Sequence, residues 1–160
     1  MLSLLGGDPA FTEPSSEPIP DGLRDLLADG FEETSDMLLF RSLAANRSSV
    51  LSWLVKTEDE TGAEVGVNEV NIERYVDRRS IPFSELARLG CDFAFLLAST
   101  LQHQQPNTGL RVIVSAMLGR SSDSVGDTCT VRFHKRRKGQ VWLAEDLEAY
   151  SDEAIEVLDL

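Results

Sequence analysis

Two periods of apolar residues alternate along the chain, and they predict a mixture of helices and strands. The clearest is helical. Phe83, Leu86, Gly90, Phe93, Ala94, Leu97 and Leu101 recur three or four positions apart, behind the entrance Ser80-Ile81-Pro82. Leu89 and Leu96 widen that stripe, so a helix over about 82–103 should be buried on more than one side. Pro106-Asn107-Thr108-Gly109 ends it and turns the chain. A shorter helix is predicted over 21–29. Asp21 is its cap, Leu23, Leu26 and Leu27 its apolar stripe, and Gly30 its stop.

The second period is two. Met37 to Leu43 and Ser49 to Val55 read as strands joined in a hairpin, although Ala44-Ala45 leaves a helical reading open. A third strand is expected from about Glu64 to Tyr75. Its alternation shifts from Val65 and Val67 to Val70 and Ile72, which predicts a bulge near Asn68–Glu69. Leu110 to Leu118 is apolar on both faces and reads as a central strand. From Asp127 to His134 the alternation is clean. Cys129, Val131 and Phe133 point one way, and Thr128, Thr130, Arg132 and His134 the other. Gln140 to Leu143 is expected to return as a strand after the basic turn Lys135–Gly139. Ala154 to Leu158 reads as a last strand, because β-branched residues flank Glu156. A helical extension of the turn at Asp146–Tyr150 is the other reading. The expected fold is therefore α+β: a mostly antiparallel sheet of about five to seven strands against one long helix, with a short N-terminal helix.

Residues 1–20 carry four of the six prolines, which argues for an irregular acidic arm ahead of one domain over 21–160. A chain of 160 residues buries enough surface to fold without a disulfide or metal staple. Cys91 and Cys129 are the two cysteines, too few for a disulfide framework, and they read as buried reduced thiols. A cytoplasmic setting follows from that usage. No apolar run reaches the length of a membrane-spanning helix, and Met1-Leu2-Ser3-Leu4-Leu5 lacks the basic lead of a secretory signal.

The formal net charge of −12 changes the picture of partners. Nucleic acid and anionic membranes are disfavoured, because both are held by Lys and Arg. A basic protein partner is favoured electrostatically, although acidity alone also keeps proteins in solution.

Candidate chemistry is sparse. His103 and His134, with two distant cysteines, do not make a zinc pattern, and Glu58, Asp59 and Glu60 lack the calcium-loop spacing. No cofactor is expected. Ser121, Ser122 and Ser124 beside Asp123, with His134 beyond, allow a small enzyme with a Ser-His-Asp site, but such clusters are ordinary turn chemistry. Glu69 and Glu73 flank the phase slip and read as solvent-facing acids. The basic run Arg132, Lys135, Arg136, Arg137 and Lys138 reads first as a solvated hairpin tip, balanced by the acidic tail, then as a protein contact, and last as a nucleic-acid contact. The leading class is thus a non-catalytic protein-binding module. Its candidate contact residues are Glu58, Asp59, Glu60, Glu145, Asp146, Glu148, Arg132 and His134.

The ending Val141-Trp142-Leu143-x-x-Asp146-Leu147-Glu148-x-Tyr150, followed by Ala154-Ile155-x-Val157, resembles the ends of small bacterial immunity proteins. These are cognate inhibitors of polymorphic or contact-delivered toxins. The resemblance covers only the C-terminal end. It implies a bacterial, cytoplasmic protein that binds and blocks a basic toxin or effector, and it transfers no inhibitory residue. An acidic secretion chaperone is the alternative in the same class.

Overall fold

The computed structural model describes residues 17–77, 80–119 and 126–160. Most of the expected proline-rich arm, and the Ser121–Ser124 cluster with Asp123, lie outside the described residues. Glu17, at the end of that arm, pairs with Arg88.

The fold is α+β. It opens with α1 (Asp21–Asp29), the hairpin β1 (Phe31–Thr34) and β2 (Met37–Phe40), and the short α2 (Arg41–Ala44). Two helices follow, α3 (Arg47–Thr57) and α4 (Glu60–Val67), then β3 (Val70–Asn71) and a 3-10 turn at Ile72–Arg74. The long α5 (Phe83–Gln104) leads to β4 (Leu110–Met117) and β5 (Thr128–Lys135). A second 3-10 turn at Leu147–Ala149 precedes β6 (Ala154–Asp159). The strands form two antiparallel sheets: β1-β2, and a four-stranded sheet in the order β3-β5-β4-β6.

The main core lies between α5 and one face of the larger sheet. Leu86, Phe93, Ala94, Leu97 and Leu101 meet Val112, Val114, Cys129, Val131 and Phe133 there. Gly90 sets how closely the layers approach. A Cβ at this position would lie 2.2 Å from Cys129 Sγ, so only glycine lets α5 settle on β5. Burial pushes the Cys91 thiol up to about 12 and raises Cys129 as well, so both stay protonated near neutrality. Phe133 also takes Phe31 and Phe40 edge-on, with ring centroids 5.5 and 5.1 Å away, and this aromatic trio fastens the hairpin to the sheet.

The structure corrects several expectations. The strands are divided between two sheets and do not form one sheet of five to seven. The partner of Met37–Phe40 is Phe31–Thr34, in the register Phe31↔Phe40. The hairpin turns through Ser35 and Asp36, at φ 50° and 68°, the positive pair that a tight two-residue turn demands. Ser49–Val55 lies within α3. The expected strand over 64–75 is helix to Val67, and Asn68–Glu69 is a helix-to-strand junction, not a bulge. Pro20, not Asp21, holds the N-cap position of α1; Asp21 sits in the first turn, paired with Arg24. Gln140–Leu143 forms no strand. Both edges of β5, the strand it would return along, are already taken, by β4 and β3, and Leu143 instead packs on Ile113 and Ile155 across the sheet's second face. Ala154–Asp159 does close the sheet as a strand, with Ser115 opposite Ile155.

Candidate functional site

Glu64 and Asn68 are one turn apart along α4 and its C-cap, and both are buried. They stand where β2 runs beside the upper half of β5. Glu64 accepts from the backbone N–H of Leu38 at 2.7 Å and of Lys135 at 2.8 Å. Asn68 accepts from Phe40 N–H at 3.0 Å and donates to the carbonyls of Leu38 and Phe133 at 2.9 and 3.1 Å. These two side chains supply the bonds that a direct β2–β5 ladder would otherwise make. They join the small sheet to the large one.

The basic turn is drawn into the same seam. Arg137 Nη1 reaches Glu64 at 2.6 Å, and Lys135 pairs with Glu33 and Asp36 of the hairpin. Burial pulls the Arg137 guanidinium down, but the Glu64 and Asp36 carboxylates more than offset it and leave it above its ordinary value. Asp36 is held below the usual carboxylate range by its hydrogen bond and charge pairing with Lys135. Arg136 Nη1 lies 3.7 Å from Asp159. The run expected as a solvated tip is therefore largely paired within the molecule.

The candidate contact residues divide accordingly. Asp59 caps α4, accepting from Gly62 N–H at 2.6 Å, and Glu60 accepts from Gln140 Nε2 at 3.0 Å. The bond from Gln140 holds the Glu60 carboxyl below its ordinary value. Glu58 is exposed, at φ 62° between α3 and α4. Arg132 is half-buried and bonds Glu69 at 3.0 Å. His134 is only 4% exposed, which takes it off the contact surface. Its Nδ1 lies 2.8 Å from the Lys135 carbonyl, which only accepts, so Nδ1 carries the proton. Nε2 is then a buried acceptor with no partner among the described residues. His134 also stands at the opposite end of β5 from Gly126, where the serine-rich loop returns. The strand places roughly 20 Å between Asp127 and His134. Glu73, expected to face solvent, is buried and accepts from Cys129 N–H at 3.2 Å.

Glu145 and Asp146 are exposed, beside an open groove. The groove has a volume of about 520 Å³ and lies between β4, β6 and the segment at 141–147. Val141, Leu143, Leu147 and Val157 form the apolar part of its lining, beside the charged Glu145, Arg111 and Asp159. Arg111 and Asp159 close one end as a two-point pair, at 2.7 and 2.9 Å, so that cation is already neutralised. Val141 is 76% and Trp142 40% exposed, an unusual state for adjacent large apolar residues. Glu148 lies on the 3-10 turn beside this groove; its side chain is outside the described set.

Sequence reasoning missed Glu64, Asn68 and Gln140. The available signal was the i, i+4 spacing of two polar residues around the apolar run Val65–Val67. Among the described residues, no group of three or more His, Cys, Asp or Glu could hold a metal ion, and no helix is long and apolar enough to cross a membrane.

These features define an α+β chain of two stitched antiparallel sheets with an exposed apolar and acidic groove at its C-terminal end. A family model matches residues 9–160, and the chain belongs to the Uncharacterized protein PM0498 family. No curated protein and no solved structure matches it.

Proposed function

We propose that this chain is a non-catalytic protein-binding module, an immunity protein that binds and blocks a basic bacterial toxin in the cytoplasm. The observation that carries the reading is the C-terminal groove. Exposed Val141 and Trp142 stand beside exposed Glu145 and Asp146, and the one cation lining the groove, among the described residues, is Arg111, which Asp159 neutralises. A large apolar anchor beside surface acid suits a partner with an apolar contact set among Lys and Arg. The carboxylates would occupy a cleft built for an anionic substrate, and blockade would be steric and electrostatic, without turnover.

The test is affinity capture with the full chain, intact-mass identification of the bound protein, and an activity assay on it. The expected result is one folded, basic enzyme, inhibited with a Kd on the order of nanomolar. Trp142→Ala should cost about 2 kcal/mol of binding. Glu145→Lys with Asp146→Lys should slow association, most visibly at low salt. Unchanged association and affinity in these variants would remove the groove from the interface. Capture of a partner that stays fully active would reject the inhibitory reading.

A further inference from the structure

The outer side of α3 carries a second apolar surface. Leu51 is 63% and Val55 81% exposed, while Val50 on the same helix is buried. The two exposed residues are four positions apart and so form one ridge. Beside the ridge lies a groove of about 260 Å³, floored by Met37, Leu39 and Ala44 and walled by Leu54. Its volume falls below the roughly 300–1,000 Å³ of small-molecule sites. It suits the side-chain anchors of a docked peptide, and an i, i+4 ridge is what a second helix packs against.

The charge around this groove favours one kind of occupant. Glu32 lines it, and its carboxylate has no ion-pair partner among the described residues. The neighbouring acids are already engaged: Glu33 pairs with Lys135, and Asp36 with Lys135 and Arg137. Lys56, also on α3, lies 4.1 Å from the centre of the Trp53 ring, which packs against Gly66 of α4. Among the described residues, no Lys or Arg lines the groove. A second copy of this chain, at net charge −12, would bring further acid toward the Glu32 carboxylate, unpaired among the described residues.

We propose that the groove between α3 and the β1–β2 hairpin docks an amphipathic helix of a partner protein, with aliphatic anchors on one face and Lys or Arg beside them. The site is separate from the groove at 141–147 and does not depend on the inhibitory reading.

Two synthetic peptides of roughly 15 residues test this, each about four helical turns long. Both carry Leu at i, i+3, i+4 and i+7; one is flanked by Lys, the other by Glu. Each is titrated into the full chain and followed by methyl NMR. The Lys peptide should shift the Leu51, Val55 and Leu39 methyls saturably, and the Glu peptide should bind about tenfold more weakly or less. Leu51→Asp and Val55→Asp, both at exposed positions and checked for folding by circular dichroism, should each abolish binding. Glu32→Lys should invert the preference between peptides. Trp142→Ala should leave peptide binding unchanged. Failure of both peptides to bind, equal binding of the two, methyl shifts away from α3 and the hairpin, or a dimer of this chain that buries Leu51 would each overturn the proposal.

Discussion

Arg137 and Glu64 form an ion pair at 2.6 Å in which the carboxylate has no solvent exposure and the guanidinium little. The pair joins the turn after β5 to α4, and Glu64 uses its remaining lone pairs on Leu38 and Lys135 N–H. A buried carboxylate with this many donors is satisfied; without its counter-charge it is an isolated ion in a poor solvent.

Removing the cation alone should therefore be costly. We expect Arg137→Ala to lower stability by about 3 kcal/mol in urea unfolding. Glu64→Gln combined with Arg137→Met leaves no charge buried and should recover part of that loss, but only part, because the Gln NH2 must then face the N–H of Leu38 or of Lys135. A double variant no more stable than Arg137→Ala would mean that this lost acceptor costs as much as the stranded charge.

Asn68 joins the two sheets through groups of opposite sense. Its oxygen accepts from Phe40 and its amide donates to two carbonyls. Asn68→Ala leaves one donor and two acceptors without these partners, at a cost of about 3 kcal/mol. Asn68→Asp should be worse, because an acceptor would then face the carbonyls of Leu38 and Phe133. Hydrogen exchange checks the mechanism: in Asn68→Ala, which removes its acceptor, the Phe40 amide should lose protection before the β4–β5 ladder does.

His134 gives the fold a pH dependence. Burial holds its imidazole below the ordinary value of 6.5, despite the raising effect of the Lys135 carbonyl. The unfolded chain thus binds the proton more readily than the folded one. Stability is fully present above pH 6.5 and falls as the pH drops toward the folded value. Asp36 and Asp159, both lowered by their cationic partners, lose their contributions only below about pH 4, a separate window. Glu156, raised by burial, acts in the opposite sense above 4.5. Comparing the chain with His134→Gln cancels these carboxylates. The urea midpoint of the native chain should fall between about pH 7 and about pH 5.5 by more than that of the variant. Equal falls would mean that His134 binds its proton equally well in the folded and unfolded chain, so that burial does not lower its value.

How far the sequence was legible depends on what each pattern was packed against. The stripe of α5 and the alternation of β5 showed through because their apolar positions meet one layer, and β4 was legible as a central strand because Val112 and Val114 face the main core while Ile113 meets Leu143 on the other side. Ser49–Val55 did not, because Leu51 and Val55 are apolar yet exposed, and together with buried Val50 they imitate a two-sided strand. Val65 and Val67 looked like alternation for the opposite reason. Nearly every residue of α4 is buried, Glu64 and Thr61 included, so its pattern has no polar side to reveal a helix. His134 and Arg132 shared a polar face in sequence, but the covering segment from Leu143 to Tyr150 makes a minor core on the sheet's second face. Only tertiary contact distinguishes a satisfied inner polar group from an outer one. Glu145 and Asp146 remained legible as surface acids, because they lie on the covering segment itself.

The contact of α3 with α4 rests on two glycines, and one of them offers a clean test. A Cβ at Gly66 would lie 2.3 Å from the Trp53 ring, and one at Gly62 would lie 2.6 Å from Thr57 Cβ. Intrinsic helix propensity argues for Ala at position 66 by about 1 kcal/mol. Overlap with a rigid indole argues against it more strongly, since the ring cannot yield by rotating a flexible tip. We expect Gly66→Ala to destabilise by about 2 kcal/mol net and to shift Trp53 fluorescence as the ring is displaced. Adding Trp53→Leu should remove most of the penalty. Gly109→Ala is the control: nothing stands within 4 Å of a Cβ there, so stability should change by no more than about 0.5 kcal/mol. If Gly66→Ala instead stabilises the chain, the close approach of the two helices is not a constraint, and propensity alone governs the position.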